Sequence, residues 1–413
     1  MVNTRASAAW LRRFAGTTPG VVAVVAILVG LICVIAGVVS GGQLDARIAK
    51  QTSVLDRSEP FANAAQNLYA ALSAADAAAA SAFLAAEETG PLRVRYQQAL
   101  ADASAALTDV TAGVSDTETR TKAAELSAQL SAYTGLVEAA RANSRQGFPV
   151  GSAYLNEASA LMQTTMLPSA AEIFERNLAT VEAEQEAIGS LPLASLVLLL
   201  LAFVAIVVAS IVVSRRTNRT FNLGLVVAAV LTVVVGLWMV IATQLAAGSA
   251  ERSRIEGTER FKVLADARII AAQARTNETL QLITRGDITK SEEKFDEQLD
   301  QLDFQLGDSP DARAAVEAWV AGHDKQVDAY RAGDFGAAVE QSIGADPNSS
   351  AGLFANVETS LRGELENARD TLRDRVSTAG AWLTFSPTGT LILMVLAAAA
   401  AFIGLWPRLK EFL

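Results

Sequence analysis

The residues that could do chemistry are few and scattered. The single histidine, His323, falls on a helical stripe with Val316, Val320, Val327 and Tyr330. Histidine can serve as base, nucleophile or metal ligand near neutral pH, but each role needs convergent partners. None is legible beside it, and the stripe predicts a packed ring with hydrogen-bonded nitrogens. Asp296, Asp300 and Asp303 recur at helical spacing among bases, which predicts a solvated helix face. The sequence contains no Walker loop, HExxH pair, Cys/His cluster or recognisable nucleophile–base pair. It therefore predicts no catalytic residue, no metal site and no cofactor, in a protein that is not an enzyme. Arg93 and Arg95 are the candidates for a direct ligand contact, because a guanidinium there could meet a carboxylate between bundle helices.

The elements that must position these residues are set by four uncharged apolar runs. Val21–Val39, Leu193–Val213, Leu223–Leu245 and Thr390–Trp406 approach or exceed the length that crosses a hydrocarbon core of about 30 Å as a helix. The loop between the middle two, Ser214 to Arg219, holds three arginines and no acid. Short Lys/Arg-rich loops stay cytoplasmic, so this loop and both ends of the chain are expected inside. The pieces assigned inside sum to +7, and the two long outer segments to −8 and −9. That balance leaves no extended basic face for nucleic acid. No spanning run holds an ionisable residue, which argues against ion-coupled transport by this chain. The lone Cys33 excludes an intrachain disulfide. Abundant alanine, and arginine in excess of lysine, fit a GC-rich, actinobacterial source.

The expected organisation is an inside segment 1–19, a span over 20–40, an outer segment 41–190 and a second span over 191–214. An inside turn at 215–220 leads to a third span over 221–247. An outer segment 248–386, a fourth span over 387–407 and an inside end at 408–413 follow. The first run could be read as a secretory signal, but its length predicts a retained span in a multi-pass plasma-membrane protein. Gly37 and Gly41, four residues apart, allow close helix packing, in a homodimer as one outcome.

Both outer segments read as helix almost throughout. In the first, Phe61, Leu68, Leu72 and Ala79 follow a bundle seam, and Thr89-Gly90-Pro91 ends that helix. A helix over 92–111 follows, Ser115 or Asp116 caps the third, and Gly147-Phe148-Pro149 separates the third from the fourth. The fourth is expected to run on into the second span with a kink at Pro168. The second segment repeats this plan with a longer loop from Gly333 to Ser350. The fold class is thus all-α: four transmembrane helices and two extracytoplasmic antiparallel four-helix-bundle domains in tandem duplication. The turns farthest from the membrane carry apolar side chains on rigid backbone. Gly147, Phe148, Pro149 and Val150 in one, and Asp334 and Phe335 in the other, are the expected docking residues for a partner.

Long helices running from outer bundles into spans resemble the plan of chemoreceptor and histidine-kinase sensor modules, but only short inside pieces are present here. The stretch Arg145-Gln146-Gly147-Phe148-Pro149-Val150-Gly151-Ser152-Ala153-Tyr154-Leu155, with Leu161-Met162 and Leu167-Pro168, resembles the actinobacterial GlnX-type four-pass membrane proteins. Those are associated with a glutamine-binding lipoprotein and protein kinase G. The resemblance implies a protein that reads an amino-acid-loaded extracytoplasmic solute-binding protein and is answered by a cytoplasmic kinase, with membrane lipid around its spans. It carries over no site residue. A direct small-molecule sensor, and a structural subunit of an envelope transport or assembly complex, are the competing readings.

Overall fold

The computed structural model describes residues 18–410 except 86–89, 115, 147–149, 218–221, 285 and 308. Every regular element among them is helical. In chain order these are α1 (Thr18–Ser53), α2 (Glu59–Leu84), α3 (Gly90–Gly113), α4 (Thr117–Arg145), α5 (Val150–Leu161), α6 (Leu167–Gly189) and α7 (Leu193–Thr217). Then come α8 (Leu223–Arg252), α9 (Arg260–Thr284), α10 (Thr289–Leu306), α11 (Pro310–Arg331), α12 (Phe335–Ile343), α13 (Ser350–Leu383) and α14 (Ser386–Lys410). Short π-helical turns at Val54–Ser58, Met162–Met166 and Ser253–Glu259 join α1 to α2, α5 to α6 and α8 to α9. The chain forms two compact units, one from 1–53, 184–252 and 374–413, the other from 54–183 and 253–373.

The first unit holds four helices long and apolar enough to cross a membrane. This is an all-α, multi-pass membrane protein. Outward-facing Val, Leu and Ile side chains cover these helices, as lipid contact requires. The small residues expected to permit close packing do so within the chain. A Cβ on Gly37 would lie 2.8 Å from Met394 Cβ, and one on Gly41 would lie 3.3 Å from the Pro387 carbonyl oxygen. Asn222 fastens the opposite end of α14: its Nδ2 donates to the Gly404 carbonyl at 2.8 Å while its Oδ1 accepts from Gly224 N at 3.0 Å. The expected uninterrupted run from the fourth bundle helix into the second span is broken at Ser190-Leu191-Pro192. Pro192 lacks an N–H, and Arg47 reaches the Ile188 carbonyl at 3.3 Å beside the break.

The second unit holds both polar segments, and they share one core. The Phe174 ring of α6 meets Phe261 of α9 at 6.0 Å, and Gln273 donates to the Tyr69 hydroxyl at 2.9 Å. Arg268 of α9 donates to Gln66 of α2 at 3.0 Å. Glu59, almost fully buried at the start of α2, accepts from Arg373 of α13 at 2.5 Å and from Arg369. The first helix of each segment thus packs on helices of the other. Alanine-rich seams permit this, since Ala65, Ala265 and Ala271 let the helices approach closely.

A 200-residue offset aligns the start of the two polar segments. Leu55-Asp56-Arg57-Ser58-Glu59-Pro60-Phe61 matches Ile255-Glu256-Gly257-Thr258-Glu259-Arg260-Phe261, and each stretch holds or adjoins a π turn. Pro60 and Pro168 each follow such a turn, so the expected kink at Pro168 is a local widening of the helix. The ring removes an N–H, and the i→i+5 register absorbs the mismatch. At Arg260, where no proline stands, close contact takes over: a Cβ on Gly257 would meet Leu372 Cα at 2.7 Å.

Candidate functional site

The densest chemistry lies in the core of the second segment, around a carboxylate with no exposed side-chain surface. Glu278 projects from α9 and accepts from Arg275 Nη1 at 2.5 Å, from Trp319 Nε1 at 3.2 Å and from the Ser350 hydroxyl. Arg275 also donates to the Ser342 carbonyl at 2.9 Å. His323 lies on α11 with Nδ1 3.4 Å from Glu278 and Nε2 3.5 Å from Glu292, and its ring stacks on Phe295 at 3.8 Å. Five helices therefore contribute: α9, α10, α11, α12 and α13.

Burial alone would push the Glu278 carboxyl up, but Arg275, His323 and Ser350 together pull it down to about 2. Burial would likewise lower His323, yet its bonds to Glu278 and Glu292 and their negative charges raise it to about 9. The cluster at neutral pH is two cations holding Glu278, with Glu292 on the far side of the imidazole. The two carboxylates face opposite ring nitrogens, a geometry that clamps the ring and leaves no common point for a metal ion.

The first segment also buries an acid on its first helix. Asp76 on α2 accepts from Ser159 at 2.8 Å, Tyr133 at 3.3 Å and Gln163 at 3.4 Å. Among the described residues no cation pairs with it. Burial dominates, and its pKa is raised despite those bonds.

The residues anticipated from sequence are distributed differently. Gly147, Phe148 and Pro149 lie outside the described residues. Val150 begins α5 with 46% of its surface exposed. Asp334 caps α12, its carboxylate accepting from Ala337 N at 3.0 Å. Phe335 is half-buried with its ring 6.4 Å from that of Tyr330, so it packs on its own segment. Arg93 and Arg95 are both exposed on the first turns of α3. Arg95 and Phe335 are brought together, since both line one cavity between α3 and α12. Glu278 was missed from sequence. A signal existed: Arg275 and Glu278, three residues apart, interrupt a run of buried Ala271, Ala274 and Leu282.

Residues 50–186 match the family model of an actinobacterial sensor domain. The protein is therefore sensor-like and of actinobacterial type. The matched sensor domain spans the helices that surround Asp76, α2 to α6, and ends short of the apolar helix α7. The second polar segment repeats its helix order outside the match. No curated protein and no solved structure matches the chain.

Proposed function

We propose that the protein is a transmembrane signal relay. In this reading the two polar segments face outside, where they receive an amino-acid-loaded solute-binding lipoprotein of the aspartate, glutamate or glutamine class. A cytoplasmic kinase responds through the arginine-rich turn and the inside segments, and the chain itself performs no catalysis. The plasma membrane is the site, with both ends inside.

The observation that carries this reading is helix continuity. Residues 20–84 and 223–283 each run as one helix from an apolar span into the polar unit. A helix moves nearly as a rigid rod, so displacement at one end is felt at the other. The sensor-domain match supports a signalling role, and the charge asymmetry supports the orientation. The test is a titration of the full chain in lipid nanodiscs against the binding protein, loaded and empty. The relay requires affinities for the two forms to differ by roughly tenfold or more, about 1.4 kcal/mol of coupling. Equal affinities would end it. The cavity beside Arg95 favours a second reading, in which a small molecule binds the chain directly.

A further inference from the structure

Among the described residues, recesses mark the surface of the polar unit. The groove between α3 and α4 is about 840 Å³ and lined by alanines and hydroxyls around Leu107 and Leu130, with Arg120 its one charge. A recess of about 410 Å³ contains Arg268 and Glu358, which are already paired with each other. The cavity between the start of α3 and α12 differs from both. It measures about 620 Å³, within the usual range for small-molecule sites.

Its walls are apolar, formed by Leu84, Leu92, Val339, Ile343 and the Phe335 ring, and it carries two opposite charges, Arg95 and Glu340. Among the described residues neither charge has an ion-pair partner. The first turn of α3 has no acid, so the helix dipole adds positive potential on the Arg95 side. At the end of α12 the Ser342 carbonyl already accepts from Arg275, so Glu340 itself supplies the negative charge. A simple anion would meet Glu340, a simple cation would meet Arg95, and a purely apolar ligand would strip water from both without replacing it.

We propose that this cavity binds a small zwitterion with an apolar body, an α-amino acid or dipeptide with an aliphatic or aromatic side chain. The carboxylate meets Arg95, the ammonium meets Glu340, and the side chain lies against Phe335 and Val339. Helix α3 belongs to the first segment and α12 to the second, so the ligand touches both halves of the duplication. The inference rests on the direct-binding reading and is independent of the relay.

The experiment is calorimetric titration of the full chain in nanodiscs, without any binding protein, using leucine, phenylalanine and leucyl-leucine. At least one should bind, and its affinity should fall roughly tenfold or more in both Arg95→Gln and Glu340→Gln, as loss of a charge-assisted bond requires. N-acetyl-leucine, which lacks the ammonium, should bind weakly and lose no affinity in Glu340→Gln, which removes a charge that repels it. No binding of any of the three at about 10 mM, weaker than any useful small-ligand affinity, would overturn the proposal. So would unchanged affinity in either variant: a ligand sensitive to Arg95 alone would make this an anion site. Both side chains are exposed, so their replacement leaves the core intact. Failure here leaves the binding-protein titration as an open and separate test.

Discussion

Asp76 and Glu278 lie on the first helices of the two polar segments, α2 and α9, two residues out of register at the 200-residue offset. Both are fully buried, and their surroundings drive them opposite ways. Around Asp76 the first segment supplies only neutral donors, which do not offset burial, so its pKa is raised. Around Glu278 the second supplies a guanidinium and an imidazolium, so the carboxylate is favoured. Burial is common to both sites, and the partners decide the charge. Each polar segment thus buries one acid on its first helix, held by neutral donors in the segment that matches the sensor-domain model and by cations in the other.

The largest expected effect breaks the ionic node. Arg275→Met leaves Glu278 buried without its principal cation, and should lower unfolding stability of the full chain in detergent by about 3–5 kcal/mol. A loss near zero would mean that water reaches Glu278. His323→Gln removes the second cation while keeping a donor, and should cost about 1–3 kcal/mol at pH 7. The pH dependence is the sharper readout. The His323 pKa is raised in the folded protein, so its contribution is complete below about 6.5 and is lost as pH rises through about 9. Wild-type stability should therefore decline across that window, and His323→Gln should flatten the decline. An equally steep decline in the variant would assign the titration to another group.

The smallest effect is on the neutral node. The Asp76 pKa is also raised, so its contribution is complete below about 3.8 and lost as pH rises through the folded value. At pH 7 the wild type carries that cost and the amide does not. Asp76→Asn should therefore change stability by no more than about 1 kcal/mol, in either direction. A loss as large as that of Arg275→Met, in chemical denaturation of the same preparation, would mean that Asp76 is a paired charge and that the two halves do not differ.

What the sequence made legible was whatever depends on near neighbours. Uncharged runs located the four apolar helices, Gly90-Pro91 placed the start of α3, and Asp116 caps α4 by accepting from Thr119 N at 2.8 Å as its position implied. What escaped depends on distant partners. The π turns require knowing that Phe61 and Phe261 enter one core. The shared core depends on contacts such as Glu59 to Arg373, more than three hundred residues apart. His323 was legible as a packed ring, but its partner Glu278 lies 45 residues away on another helix. Arg95 was singled out by chemistry alone, and only the fold brings Glu340 opposite it.

The account as a whole stands on both polar segments facing away from the arginine-rich turn, and cysteine accessibility tests that directly. In a Cys33→Ala background, Ser104→Cys and Lys290→Cys should react with a membrane-impermeant maleimide in intact cells, and Asn218→Cys only after permeabilisation. Labelling of Asn218→Cys in intact cells, with the other two protected, would contradict the account, because the segments read as sensors would then face the cytoplasm.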